Sequence, residues 1–216
     1  MTLIRSGINK IRVIDYDIIT LSSLNRHAFA TRKDVGKLKV KVVEEFTKEI
    51  NPNIIYECID DAFMIDDADE YIKNGNPDYV IDCIDDLNSK CDLLKYCKDN
   101  KIKVISSMGA GGRMDPTCIR VGDLGTVQGE ILAKRLKYIY KKKYNEKVSC
   151  IPIIYSNEKN SMNLSELEDH QKDNPEIYRV NDNERVRSLP VFASIPAIFG
   201  QALASFVLCD LSNKYQ

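Results

Sequence analysis

The chain has 216 residues, enough for one domain or one with a modest appendage, and 44% of them are hydrophobic, enough for a packed core. Acids and bases nearly cancel, at a formal net charge of -1, which excludes a globally basic nucleic-acid binder and confines any such surface to a local patch. The seven cysteines form no Cys-x-x-Cys pair, which disfavours a four-cysteine zinc site, and they read as reduced thiols in a cytosol-type compartment.

In chain order, the first residues lack the long apolar core of a signal peptide. Ile11–Asp15 reads as a strand. Val35 to Ile50 reads as an amphipathic helix, with Leu38, Val42, Val43, Phe46 and Ile50 on one face. Ile54–Cys58 is a second strand and Ala68 to Asn74 a short helix. Tyr79–Cys83 is a strand, Leu87 to Asp99 a helix, and Ile102–Ser106 a further strand. The loop "SSMGAGGRMDPT" follows, then a strand at Thr117–Val121, a lysine-rich helix at Ile131 to Tyr144, and a last β run at Ile151–Tyr155. Ser156 to Ser188 is polar with little periodicity and reads as a long functional or disordered loop. The apolar stretch Pro190 to Cys209, interrupted by Pro196, Gly200 and Gln201, reads as a buried core helix, so no integral membrane segment is expected.

Strands alternating with helices at this spacing predict an α/β fold: a doubly wound, Rossmann-like, mostly parallel sheet. Ligands of such sheets bind beyond the carboxyl ends of the strands. Asp15 ends a strand and is a candidate for ribose hydroxyls, against the alternative of a turn aspartate; Asp17 reads as the turn residue. Arg26 and Lys39 lie near a helix N-terminus and form a candidate anion site. Asp85 could hold Mg²⁺ on a polyphosphate, or it or Asp86 could cap the next helix. Gly109 to Gly112 is weak as a phosphate loop, because it leads into Asp115-Pro116 and not into a helix, but reasonable as a close-approach loop. The cysteines show no nucleophile signature; Cys150 is the one thiol singled out for its place before the long loop. The basic helix from Lys134 to Lys147 is either a solvated face or a contact for RNA phosphates.

Together, "VIDYD…LSSLNRH…DVGKLK" and "YVIDCIDD" resemble the ThiF/MoeB-type adenylating enzymes, which include the ubiquitin-activating enzymes. The resemblance is good over residues 3 to 125 and loose beyond. It implies one adenylating domain over 1–216, with a nucleotide-binding core at 1–125 and a helix, long crossover loop and C-terminal helix at 126–216. "KVISSMGAGGRMDPT" and "VGDL" narrow it to the tRNA threonylcarbamoyladenosine dehydratases, in their fungal-type branch. The resemblance implies that ATP, with Mg²⁺, adenylates the carboxylate of threonylcarbamoyladenosine in tRNA, and that loss of AMP closes a ring. Asp15 would bind ribose, Arg26 and Lys39 the phosphates, and Asp85 the Mg²⁺ or the α-phosphate, with Asn25 assisting. Arg26, Lys39 and Asp85 would thus be the catalytic set. A homodimer is implied too, in the cytoplasm or on the cytosolic face of the outer mitochondrial membrane.

The chain departs from the family pattern at its start. Met1 to Gly7 looks like the tail of a helix, so the family's first strand and glycine-rich loop are expected to be missing. The strand at 11–15 and the strand at 79–83 should then either pair directly or leave a slot with unpaired edges. A truncated product that folds poorly or binds ATP weakly is the corresponding expectation. Where bacterial members carry a cysteine in the last β run, Ile153 stands, and Cys150 falls outside the match. The competing functions are activation of a ubiquitin-like or sulfur-carrier protein, which usually brings zinc-binding cysteine pairs, and a non-catalytic partner of a full-length paralogue. A nicotinamide dehydrogenase is disfavoured by the lack of a glycine fingerprint.

Overall fold

The computed structural model describes residues 1–159, 165–166, 187–188 and 190–212. Most of the long polar loop therefore lies outside the described residues. Helix α1 (Thr2–Arg5) leads through Gly7, at φ +93°, into strand β1 (Lys10–Ile14). Then come α2 (Lys39–Ile50), β2 (Ile55–Ile59), α3 (Ala68–Tyr71), β3 (Val80–Asp82), α4 (Leu87–Asp99) and β4 (Val104–Ser107). The second half supplies β5 (Ile119–Asp123), α5 (Ile131–Tyr144), β6 (Pro152–Ser156), a two-residue pair β7 (Ser165–Glu166) and β8 (Arg187–Ser188), and α6 (Ser194–Leu211).

The strands form a parallel pair β1–β2, a four-stranded sheet in the order β3-β4-β6-β5, and the small antiparallel β7–β8 pair. The predicted mostly parallel arrangement holds; within the four-stranded sheet β5 alone runs antiparallel, against β6. Among the described residues β1 does not pair with β3, so the direct pairing is not seen.

The four-stranded sheet is covered on both faces. Val104 and Ile153 join the core built with α4 and α5, while their neighbours Ile105 and Ile154 pack on Ile195, Phe199, Leu203 and Val207 of α6. This is the alternation a pleated strand imposes, and it explains why these strands are apolar on both sides. Helix α6 is long and apolar enough to cross a membrane by length and composition, yet one face is spent on β4 and β6.

Helix boundaries follow local chemistry. The predicted α4 and α5 match the observed spans. Asp86 caps α4 by accepting from Asn88 N at 3.0 Å and Ser89 N at 2.8 Å, and the Glu130 carboxylate caps α5 through Ala133 N. The helix expected from Val35 begins only at Lys39, because Gly36 takes φ +91° and the chain turns there to pair with Ile19. Its buried positions are Val40, Val42 and Thr47, with Val43, Phe46 and Ile50 half-buried, so the expected face is rotated. The single helix expected at Ala68 to Asn74 breaks into α3 and a 3-10 turn at Lys73–Gly75. Arg12 of β1 donates to the α3 carbonyls of Glu70 at 3.1 Å and Tyr71 at 2.9 Å, taking oxygens that a longer helix would use.

Candidate functional site

Strands β3, β4 and β6 run parallel to one another, as do β1 and β2, and the candidate residues lie in the segments that follow the carboxyl ends of β1, β3 and β4. Asp15 continues β1: its N–H donates to Ile59 O at 3.1 Å, and its carboxylate accepts from Asp17 N at 2.8 Å. Burial pushes its carboxyl above the ordinary range, opposed by that hydrogen bond and by the positive charge of Lys39.

Lys39 is the first residue of α2. Its ammonium contacts the Asp17 carboxylate at 2.5 Å, and its N–H donates to Asp17 O at 2.9 Å. Asp17 was read as a turn residue; the structure makes it the partner that holds Lys39. This pair joins positions 22 residues apart. His27 lies in the same group, close enough to feel Lys39, Asp15 and Arg26, and burial first and Lys39 second push its imidazole down, keeping it neutral at pH 7.

Asn25 ends a 3-10 turn at Leu21–Asn25 that Thr20 and Ser23 cap reciprocally. Its Nδ2 donates to Val191 O at 3.4 Å, and its Oδ1 accepts from Arg26 Nη1 at 3.0 Å. Arg26 is exposed, and its guanidinium has no acidic partner among the described residues. A cation so placed is free to meet an anion. Asp15, Asn25, Arg26 and Lys39 are thus brought into one neighbourhood.

Asp85 stands apart, in the turn after β3. Of the two acids in this turn Asp86 is the cap of α4, while Asp85 is exposed and makes no hydrogen bond or ion pair among the described residues. One exposed carboxylate suits an Mg²⁺ ion whose other ligands are phosphates and water. No cluster of three or more acidic, cysteine or histidine side chains that could hold a metal occurs among the described residues, so the protein would supply only part of such a shell.

Beneath that turn lies a charged group the sequence reading missed. Asp82, at the end of β3, is 1% exposed and Lys90 of α4 is 0% exposed. The Asp82 carboxylate accepts from Lys90 Nζ at 2.7 Å, from Ser106 Oγ at 2.5 Å and from Ile84 N at 3.0 Å. One carboxylate therefore fixes the Asp85 turn to the end of β4. The eight-residue spacing from strand end to second helical turn was the available signal.

The Gly109–Gly112 loop leaves β4 over the same mouth. Gly112 adopts φ +69° and donates to Pro190 O at 2.9 Å, so Pro190–Val191 bridges this loop and Asn25. Arg113 is buried, donates to Glu158 O and approaches Glu130 at 3.9 Å, while its Nε has no partner among the described residues. Cys150 sits before β6, at the opposite end of the strands from this mouth, in a left-handed conformation at φ +59°. Ile153 is fully buried in the core.

Mostly parallel strands with helices between them, and acids and cations in the segments that follow their carboxyl ends, are the arrangement of doubly wound α/β proteins that bind ligands at that end. Comparison makes it specific: the ThiF family model matches residues 1–208, and the chain belongs to the ThiF family. It is 36% identical over 219 residues to tRNA threonylcarbamoyladenosine dehydratase 2 of Saccharomyces cerevisiae, covering 99% of this chain and 48% of that protein. It is 43% identical over 144 residues to tRNA threonylcarbamoyladenosine dehydratase of Haemophilus influenzae, covering 66% of this chain and 54% of the relative. The chain thus spans about half the length of these curated relatives. Among solved structures it resembles TcdA (CsdL), with a TM-score of 0.82 and 29% identity over 99% of this chain and 80% of that one. It also resembles Escherichia coli tRNA N6-threonylcarbamoyladenosine dehydratase in complex with ATP, with a TM-score of 0.74, 27% identity, and coverage of 97% and 80%.

Proposed function

We propose that the chain is the catalytic part of an ATP-dependent tRNA threonylcarbamoyladenosine dehydratase. The observation that carries the reading is the joining of strand-end Asp15 and helix-start Lys39 in one charged mouth of a ThiF-family chain. Asp15 takes the ribose hydroxyls. Lys39 and Arg26 take the phosphates, with Lys39 at the positive end of the α2 dipole. Asn25 holds Arg26 by its side-chain oxygen. Asp85 takes Mg²⁺, which when bound neutralises charge on the phosphates.

In the reaction a carboxylate oxygen of the modified nucleoside attacks the α-phosphorus, and pyrophosphate leaves. The activated acyl group is then attacked from within the same modification, a ring closes, and AMP departs with the former carboxylate oxygen. The net loss is one water. Arg26 and Lys39 stabilise the charge that builds on the phosphates in the first step. The solved Escherichia coli relative named for this dehydratase activity, in complex with ATP, supports the nucleotide part of the reading.

The cysteines, all free thiols, support a reducing compartment such as the cytoplasm. A homodimer belongs to the same reading, and exposed Leu21, Val121 and Phe192 offer apolar surface to bury. The test is to delete the gene and analyse tRNA nucleosides by mass spectrometry. The cyclic nucleoside should vanish and its open precursor accumulate. An unchanged nucleoside profile, with ATP–pyrophosphate exchange that depends on a Gly-Gly-tailed carrier protein, would instead support the carrier-activating alternative.

A further inference from the structure

The basic residues around α5 fall into two sets. Lys137 donates to Val127 O at 2.6 Å, Lys143 pairs with Asp92 at 2.5 Å, and Lys95 and Lys98 of α4 pair with Glu146 at 3.3 and 3.7 Å. Lys134, Arg135, Lys141 and Lys142 are exposed and have no acidic partner among the described residues. At 3.6 residues per turn these four fall within an arc of about 120° on the helix. Tyr138 lies in the middle of that arc and is 66% exposed. In a chain of net charge -1, four unneutralised cations on one helix face make a strong local positive field.

A cavity of about 380 Å³ adjoins the face and is lined by Asn88, Tyr138, Ile139, Lys142 and Lys143. Asn88 belongs to the first turn of α4, three residues beyond Asp85. The basic face therefore leads into the turn that carries the free carboxylate of the nucleotide site. Apart from Ile139 and Tyr138 the lining is polar or cationic, which suits a polyanion better than an apolar peptide.

We propose that this face binds the backbone of the RNA substrate: Lys134, Arg135, Lys141 and Lys142 take phosphates, and Tyr138 stacks on an unpaired base entering the adjoining cavity. The assignment rests on the tRNA reading above and adds the surface that delivers the modified nucleoside to the site. Sequence-tolerant stacking on an exposed aromatic ring, flanked by cations on phosphates, is how proteins hold single-stranded segments such as tRNA loops.

The test is fluorescence anisotropy with a labelled, unmodified tRNA transcript. Arg135→Glu/Lys142→Glu should lose about tenfold or more in affinity, and the plot of log affinity against log salt should become shallower by about one unit per cation removed. The neutral pair Lys134→Gln/Lys141→Gln should shift both in the same direction by less. Tyr138→Ala should lose roughly fivefold or more, and Tyr138→Phe should keep parent affinity. ATP binding and the thermal melt should be unchanged in all of them. Parent-like tRNA affinity and salt slope in the charge variants overturn the surface while leaving the tRNA reading in place. A parent protein that binds ATP but no tRNA overturns both. Displacement of tRNA by polyglutamate as readily as by single-stranded RNA overturns the RNA assignment in favour of an acidic protein.

Discussion

Asp15 is under two opposing demands. The proposed role in holding ribose hydroxyls needs its charge, while burial disfavours that charge and raises its pKa above the ordinary 3.8. A raised carboxyl pKa means that the folded state binds the proton more tightly than the unfolded chain. Stability then falls as pH rises through the window between the two pKa values, and the cost persists at neutral pH. Asp15→Asn should therefore raise the melting temperature at pH 7 by about 1–2 °C, while ATP binding by calorimetry weakens. A lowered melting temperature would show that the carboxylate is structurally required. Lys39→Ala should weaken ATP by about tenfold or more, the scale of one charge-assisted hydrogen bond. Asp17→Asn leaves the ammonium without its ion pair and should not weaken ATP by more than about twofold. Asp15 and Asp85 could be nominated from the sequence as acids after apolar strands, and Arg26 and Lys39 as cations near a helix start. Asp17 and Arg113 could not, because their roles come from partners 22 and 45 residues away that only the fold supplies.

At the scale of elements, Asp82 and Lys90 couple β3, α4 and β4. Lys90→Met would leave a carboxylate buried without its counter-ion and should cost about 3–5 kcal/mol in urea denaturation. Replacing both partners, Asp82→Leu/Lys90→Met, should recover most of that loss while leaving the Asp85 turn less well held. Equal stability of the single and double variants would contradict the account. On α2, Lys48 first and then Lys41 hold Glu44 well below its ordinary 4.5, at about 2. A depressed carboxyl contributes stability that is present above the unfolded pKa and lost as pH falls from about 4.5 towards 2. Unfolding between those pH values should flatten in Glu44→Gln, read by circular dichroism. Helices α4 and α5 were readable to the residue because Asp86 and Glu130 cap regular apolar periods. The start of α2 was not, because the left-handed turn at Gly36 interrupts a pattern that otherwise reads as helix from Val35.

Across the whole molecule, the alternation of strands and helices gave the fold class directly, since near-continuous apolar strands with helices between them have few other solutions. Of the two outcomes expected for the strands at 11–15 and 79–83, direct pairing is absent among the described residues, where the β1–β2 pair is separate from the four-stranded sheet. The β1 residues are half-buried or exposed, whereas Val104, Ile105 and Ser106 of β4 are buried. Amide exchange should therefore be faster in β1–β2 than in β4–β6, and ATP should slow it chiefly at β1 and the start of α2. Uniform protection across both sheets would contradict this division. The central claim is the reaction itself, and the measurement that tests it most directly is mass spectrometry of nucleosides from threonylcarbamoyladenosine-bearing tRNA incubated with the purified protein, ATP and Mg²⁺. The account predicts conversion to a product lighter by one water, with AMP and pyrophosphate formed in equal amounts, and loss of that conversion in Lys39→Ala. ATP bound at the site but tRNA left unconverted and AMP not formed would contradict it.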